Sequence, residues 1–150
     1  MMDRYSGYYR LTYKFNASHN TSGREDGRHV HTFRLVILLM HTGEGFVDFY
    51  DFEQRVKSLV DIYRGSHLND HQEFADMNPT IENVCTYFFD TLQPMFEESG
   101  SLKLVQVTLG DSPTQSFSVS GDYIVMNRPV SRERIMHLYE GLRAAHPGSN

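Results

Sequence analysis

The chain has 150 residues, of which 39% are hydrophobic and 22% are charged, and these proportions are typical of one folded domain with a hydrophobic core. Its formal charge of -5 gives no basic footprint, so we expect neither nucleic acid nor a membrane surface as a partner. The first residues lack the apolar core of a signal peptide, and the aliphatic run at 35–40 is too short to cross a bilayer, which predicts a cytoplasmic protein.

The single cysteine, Cys85, excludes an internal disulfide and a CxxC metal site, so a metal would need histidines or carboxylates.

Two strands are predicted at the start of the chain, and each has histidine at one end. Residues 9–19 alternate apolar and polar side chains and end with His19, while residues 29–40 begin with His29 and His31 on the apolar side. If the strands pair as an antiparallel hairpin, the three imidazoles lie together on one face. Three imidazoles with one open position are typical of a catalytic zinc site. The alternative is three unrelated surface histidines.

A first amphipathic helix is predicted within residues 51–65. Its apolar side chains recur at helical spacing, Asp51 and Gln54 are placed as a capping pair, and Gly65 is placed to end the helix. A second helix is predicted within residues 79–96, after Thr80 as N-cap.

Cys85 lies on the apolar stripe of that second helix. We therefore expect a buried structural thiol there rather than a nucleophile. Residues 102–109 and 114–126 have the pattern of two further strands, and Ser131 is placed to cap a C-terminal helix. The order strand, strand, helix, helix, strand, strand predicts an α+β fold with an antiparallel sheet and helices on one face.

Five motifs in this order carry a resemblance to a known family: FNASH at 15–19, HVH at 29–31, GFVDFYDFEQRVK at 45–57, HLND at 67–70 and NPTIEN at 78–83. Over residues 8 to about 120 the chain resembles the 6-pyruvoyl-tetrahydropterin synthase and 6-carboxytetrahydropterin synthase family. The resemblance implies the tunnelling fold, or T-fold, with a four-stranded antiparallel sheet and two helices on one face in a domain at 1–126. Residues 127–150 are then expected to form a helical extension packed on the same domain.

The resemblance also implies a function. Members of that family are zinc enzymes, so this chain is expected to be a zinc-dependent, lyase-like enzyme acting on the C6 side chain of a dihydropterin such as dihydroneopterin triphosphate. His19, His29 and His31 match the ligands of the Zn²⁺ cofactor. A homo-hexamer with sites at subunit interfaces is implied as well. The alternative is a non-catalytic, zinc-binding relative that binds a pterin, a purine-like ligand or a protein partner.

The alternative arises because three catalytic positions depart from the family pattern. Glu25 stands where the carboxytetrahydropterin branch has a catalytic cysteine, and a variant subgroup of the family uses glutamate there as a base. Glu25 is therefore the candidate base, with Asp26 beside it. The competing interpretation is a charged loop tip that only contacts solvent.

The other two departures concern proton transfer and substrate binding. The family's DHxxLN pair aligns with Arg64 and Gly65, or with Ser66 and His67 after a two-residue deletion, which makes His67 a candidate acid or base or simply a surface histidine.

The family's pterin-anchoring glutamate aligns with Leu109, or with Asp111 after a shift, although an aspartate there is also ordinary turn chemistry. Thr80 of the NPTIEN motif is the second candidate substrate-binding residue.

Overall fold

One antiparallel sheet packed against two helices makes up the fold. The structure is a computed structural model, and it describes residues 7–121. The elements are β1 (Tyr9–Asn20), β2 (Arg28–His41), α1 (Tyr50–Tyr63), α2 (Ile81–Glu97), β3 (Leu102–Gly110) and β4 (Ser116–Ser120). The strands lie in the order β1-β2-β3-β4, and every neighbouring pair is antiparallel. The predicted α+β class and four-stranded sheet are confirmed. The predicted C-terminal helix and the boundary between 126 and 127 lie outside the described residues.

The β1–β2 hairpin forms because both strands alternate apolar and polar side chains in matching register. Phe15 pairs with Phe33, and both are buried on the face that packs against the helices. The even-numbered residues of both strands point mainly to the opposite face, which we call the outer face. The hairpin therefore places the ends of both apolar rows, and the histidines there, at one end of the sheet.

Helix α2 begins at the predicted cap. The Thr80 hydroxyl oxygen accepts a hydrogen bond from the backbone N–H of Asn83 at 3.3 Å, which satisfies one of the free amides of the first turn. The apolar stripe of the helix is buried as predicted at Val84, Cys85, Phe88, Phe89 and Leu92. Ile81, predicted as the first residue of the stripe, is only partly buried, and Phe96 is buried in addition.

Helix α1 ends as predicted but begins differently. Gly65 follows the helix with φ +70°, a conformation that favours glycine. The predicted capping pair Asp51 and Gln54 is wrong, because the helix begins at Tyr50 and Asp51 already lies in its first turn. The carboxylate of Asp48 accepts from the backbone N–H of Tyr50 instead, at 2.9 Å.

The connection between the helices covers part of the sheet edge. It contains two one-turn 3-10 helices, Leu68–Asp70 and Gln72–Phe74, and Leu68 and Phe74 are buried. The same connection forms hydrogen bonds with the C-terminal end of β1, where the backbone N–H of Ser18 donates to the carbonyl of Ser66 at 2.9 Å. Among residues 7–121, no helix is both long and apolar enough to pass through a membrane.

Candidate metal centre

Three histidines meet at the end of the β1–β2 hairpin. The Cα positions of His19 and His29 are partners across the two strands, and His31 is two residues further along β2 on the same face. The ring centroids are separated by 4.6 Å for His19 and His29, 5.0 Å for His19 and His31, and 4.7 Å for His29 and His31. One ring nitrogen from each residue lies within 4.8 Å of the others, so the group can hold a metal ion.

Two backbone carbonyls orient these rings. Nδ1 of His19 donates to the carbonyl oxygen of Pro79 at 2.7 Å, and Nδ1 of His29 donates to that of Gly27 at 2.8 Å. A carbonyl oxygen only accepts hydrogen bonds, so Nδ1 carries a proton in each ring, and the neutral form of either ring has its lone pair on Nε2. Histidine ligands of metal ions are commonly held in this way by a second hydrogen bond.

The Nε2 lone pairs of the histidine cluster indicate whether a metal ion fits there. Within residues 7–121, Nε2 of His19 and Nε2 of His31 are buried and have no hydrogen-bond partner. A buried polar atom without a partner typically costs about 1–3 kcal/mol, and a bound cation would remove that cost. The donor set is therefore chemically suited to an imidazole-binding ion.

The protonation of His19 also suits a ligand. Burial lowers the pKa of His19 below its ordinary value, and the neighbouring His29 and His31 act in the same direction. The hydrogen bond to Pro79 and the charge of Asp111 oppose this shift but do not reverse it. His19 is thus held neutral at pH 7, which is the form that binds metal.

The start of α2 supplies the carbonyl that holds His19. Asn78 donates from its side chain to the carbonyl of Thr21 at 2.6 Å, and Asn83 donates to the carbonyl of Asn78 at 2.8 Å. These bonds fix the segment before α2 against the loop that follows β1. Thr80 adjoins Pro79, and its oxygen is engaged in the helix cap. Its assignment to substrate binding stays a prediction.

Glu25 begins a one-turn 3-10 helix, Glu25–Gly27, in the β1–β2 connection. The last residue of this turn is Gly27, whose carbonyl accepts the hydrogen bond from His29. The backbone of Glu25 is thus four residues before one of the clustered histidines. The Glu25 side chain is outside the described part of the chain, and its role as a base stays a prediction.

His67 lies against β1 but outside the histidine cluster. Its Nδ1 is 2.9 Å from the hydroxyl oxygen of Ser18, the residue before His19, and the side chain is half-buried. The contact holds the His67 ring at the edge of β1. A role for His67 in proton transfer stays a prediction.

Asp111 follows β3 and lies in an open depression of about 640 Å³ that is also lined by His31. One carboxylate oxygen, Oδ1, is buried and has no hydrogen-bond partner among the described residues. The structure therefore brings Asp111 to the same depression as the histidine cluster. Its role in substrate binding stays a prediction.

A family model, described as 6-pyruvoyl tetrahydropterin synthase, matches residues 9–122. The chain belongs to this family. The match spans all the strands and helices of the described fold, including the three histidines at the hairpin end. No curated protein sequence matches the chain significantly.

Solved structures of the family share the fold. The Caenorhabditis elegans 6-pyruvoyl tetrahydropterin synthase aligns with a TM-score of 0.64 at 19% identity, covering 81% of this chain and 99% of that one. The Plasmodium falciparum enzyme aligns with a TM-score of 0.53 at 13% identity, covering 78% and 99%. A Plasmodium vivax variant, in which a catalytic glutamate is replaced by cysteine, gives a TM-score of 0.54 at 14% identity, covering 75% and 97%. These alignments confirm the predicted T-fold.

Sequence reasoning missed several residues that support the site. Asn69 joins the loop to β1 by accepting from the backbone N–H of Asn20 at 2.8 Å and donating to its carbonyl at 2.9 Å. His71 contacts the Ser66 hydroxyl through Nε2 at 2.8 Å. Asn69 belongs to the HLND motif, but neither its role nor that of His71 was predicted, because both residues lie in short turns without periodic apolar positions. Pro79 could have been found only as part of the NPTIEN motif.

Proposed function

We propose that this protein is a zinc-dependent, lyase-like enzyme that acts on the C6 side chain of a dihydropterin such as dihydroneopterin triphosphate. The observation that carries the proposal is the cluster of His19, His29 and His31 within a chain of the pterin synthase family. Two of the three rings have their tautomer set by backbone carbonyls, and two buried lone pairs lack a partner among the described residues. An imidazole donor set of this kind favours zinc over magnesium or calcium, which prefer oxygen ligands.

Each histidine has a defined task in this proposal. His19 is fixed by Pro79 and His29 by Gly27, so their lone pairs are held in place before an ion binds. His31 lines the adjoining depression and would hold the ion at the side from which substrate enters. When bound, zinc supplies Lewis-acid stabilisation of negative charge that develops on the substrate side chain.

Proton transfer is assigned to Glu25, with His67 as the second group. A carboxylate near a cation stays ionised at pH 7 and can accept a proton. The catalytic glutamate of the Plasmodium vivax relative supports a carboxylate in this role. The Ser18 hydroxyl restrains the His67 ring, so a proton on that imidazole would be held at a defined position.

Substrate binding is assigned to Asp111 and Thr80. One carboxylate oxygen of Asp111 has no partner within residues 7–121, and it can accept an N–H from the guanidine-like edge of a pterin. Thr80 adjoins the carbonyl that holds His19, and because its oxygen accepts from Asn83 in the helix cap, the group that it would offer to a substrate is its hydroxyl hydrogen, as a donor.

One observation favours the second candidate function, a non-catalytic zinc-binding relative that binds a pterin, a purine-like ligand or a protein partner. The family pattern has aspartate before the relay histidine, whereas this chain has Ser66 before His67. His67 is consequently restrained by the neutral hydroxyl of Ser18 rather than by a carboxylate. A neutral partner stabilises the charged imidazolium less, which weakens the group as a catalyst.

The proposal includes a homo-hexamer with sites at subunit interfaces. The support for it is the outer edge of β1 from residue 9 to residue 15, with which no other described segment pairs. The cytoplasmic location rests on the sequence and stays a prediction.

The test combines metal analysis with turnover. We expect about one zinc per chain in the purified protein and conversion of dihydroneopterin triphosphate to a shortened pterin, followed by chromatography and mass spectrometry. His31→Ala should lose most of the zinc and all turnover. His41→Ala, at the opposite end of β2, is the matched control and should keep both.

Three outcomes are distinguishable. Equal zinc in wild type and His31→Ala would overturn the ligand assignment. Zinc that depends on His31, without conversion of any dihydropterin, would favour the non-catalytic function. Conversion that persists after zinc removal would contradict a zinc-dependent reaction.

A further inference from the structure

The core face of the sheet is incompletely covered along β4, its last strand. Phe117 pairs with Leu109 of β3, which is fully buried on the core face. Val119 pairs with Val107, which is buried on the same face. Cross-strand partners share a face, so Phe117 and Val119 also point to the core side. Phe117 is nevertheless 36% exposed and Val119 is only half-buried, which leaves an apolar strip open along β4.

Helix α2 forms one wall beside this strip. Sγ of Cys85 lies 3.4 Å from the carbonyl oxygen of Phe117. Four residues further along both elements, a Cβ placed at Gly121 would lie 3.2 Å from Cζ of Phe89. The helix and the strand therefore run side by side in the same direction, and the flank of α2 around Phe89 overlooks β4. We call the channel between this flank and the side chains of Phe117 and Val119 the β4 trough.

The α2 wall of the β4 trough is acidic. By the helical period, Glu82, Asp90 and Glu97 fall on the same flank of α2 as Phe89. All three acidic side chains are exposed, and α2 contains no lysine or arginine. None of the ion pairs formed within residues 7–121 includes them. The trough thus combines an apolar floor with an acidic wall that the described residues leave uncompensated.

The chain leaves the described fold beside this trough. Gly121 is the last described residue and follows β4 directly. Beyond it, Ser131 is placed to cap a helix. The apolar stripe of that predicted helix recurs at i, i+3, i+4 and i+7 and consists of Ile135, Leu138, Tyr139 and Leu142. The connection 122–130 can span about 30 Å and a helix over 131–142 is about 18 Å long, so the helix can return along α2.

The charges of the predicted helix complement the acidic wall. Arg132 and Arg143 fall together on one flank of the apolar stripe. Glu133 and Glu140 fall on the opposite, polar face. Because α-helices are right-handed, a helix that buries the stripe on β4 and runs antiparallel to α2 turns the flank with Arg132 and Arg143 toward α2. A parallel helix would turn that flank away from α2.

We propose that residues 131–143 of this chain dock as an amphipathic helix in the β4 trough, antiparallel to α2. The apolar stripe then covers Phe117 and Val119, and the two arginines of the flank lie against the acidic wall. Both the apolar match and the charge match lead to the same occupant, the chain's own C-terminal segment. This docking requires neither the metal centre nor the proposed reaction.

Amide hydrogen exchange of the full-length protein, followed by mass spectrometry, tests the docking. A helix of this length is marginal in water by itself, so its amides should be protected about ten-fold or more only if it is docked. Leu138→Asp places a charge in the stripe, and it should remove this protection and speed exchange in β4 by about ten-fold or more. His137→Asp is the matched control, because residue 137 lies on the polar face of the predicted helix and should change neither rate.

A charge swap tests the orientation without altering the apolar contacts. Arg132→Glu combined with Arg143→Glu should reduce the protection of residues 131–143 by about five-fold or more, and Asp90→Lys combined with Glu97→Lys should do the same. The protein with all four substitutions should regain protection, because the opposite charges again face each other. Unchanged exchange in β2 shows that each variant keeps the fold.

Several results would overturn the docking. One is exchange of residues 131–143 in wild type at the rate of an unprotected peptide. Another is equal exchange in β4 for Leu138→Asp and His137→Asp. A lower mass for Leu138→Asp than for wild type in sedimentation would place the segment on a neighbouring copy instead. Failure of the four-fold charge swap to restore protection would contradict the antiparallel orientation.

Discussion

Glu25 is the residue on which the proposed chemistry depends most. Glutamine has nearly the same volume and a polar tip but no proton-accepting carboxylate. Glu25→Gln should therefore keep the zinc and the fold while kcat falls by about 10² to 10⁴, the usual range for a positioned acid or base. The measurement is steady-state turnover of dihydroneopterin triphosphate, with zinc content determined on the same samples.

The neighbouring Asp26 provides the control. It is exposed in the same one-turn helix, and Asp26→Asn removes the same charge from the loop. We expect that variant to keep most of the activity. A Glu25→Gln enzyme as active as a working wild type would place the base elsewhere, and His67→Asn would be the next variant to measure.

Cys85 illustrates a residue whose chemistry is suppressed by packing. Its Sγ lies 3.4 Å from the carbonyl oxygens of both Val107 and Phe117, which are alternative acceptors for its single S–H, and burial raises the pKa of the thiol to about 11. At pH 8, roughly one thiol in a thousand would then be thiolate, the reactive form. We expect iodoacetamide to leave the native protein unmodified at pH 8 and to label Cys85 fully in guanidinium chloride, as measured by intact-mass spectrometry. Rapid labelling of the native protein would contradict the buried, structural role.

At the scale of elements, the N-terminus of α2 links helix stability to the histidine cluster. Loss of the Thr80 hydroxyl in Thr80→Ala removes the acceptor for the Asn83 amide and should lower the free energy of unfolding by about 1 kcal/mol. Urea unfolding of the zinc-free protein measures this term without the contribution of bound metal. The Pro79 carbonyl lies one residue before the cap, so zinc affinity should fall as well.

Thr80→Ser is the matched control, because serine is an equally good N-cap residue. It should restore both stability and zinc affinity. A serine variant as destabilised as the alanine variant would assign the effect to the lost methyl group rather than to the cap.

The strands and helices were predictable because each has a periodic apolar pattern of sufficient length. The β1–β2 register followed from period-two alternation, and α2 followed from its stripe and its Thr80 cap. The segment between α1 and α2 was not predictable, because Leu68 and Phe74 are isolated apolar positions in short turns. The start of α1 was misplaced since Asp48 and Asp51 are both plausible caps, and only the path of the chain decides between them.

At the scale of the whole molecule, the site also combines residues that a local pattern predicts with residues that only the packing of distant segments brings in. His19, His29 and His31 are close because of one local hairpin, so the sequence alone predicted their cluster. The carbonyl of Pro79 and the carboxylate of Asp111 come from segments 60 or more residues away from His19. Their positions depend on the packing of α2 and on the pairing of β3 with β2, which periodicity does not specify.

The outer edge of β1 bears on the assembly of the molecule. Beyond Asn16 the edge is bonded to the loop, through Asn16, Ser18 and Asn20. From residue 9 to residue 15, no other described segment pairs with this edge. A free strand edge invites pairing with another chain unless it is covered, and closed symmetric oligomers remove such edges. We therefore expect a closed homo-oligomer, a hexamer in our proposal.

The alternation along β1 identifies a substitution that tests this edge. Asn16, Ser18 and Asn20 direct their backbone groups outward, so Thr12, at the same phase of the strand, should present its N–H to the open edge as well. Thr12→Pro removes that N–H without removing a bond between β1 and β2, whereas Thr12→Val keeps it and serves as the control. Analytical ultracentrifugation at micromolar concentration should show the closed oligomer for wild type and Thr12→Val, and smaller species for Thr12→Pro. A monomeric wild type would contradict the hexamer, and an intact oligomer in a folded Thr12→Pro protein would assign the subunit contact to another surface.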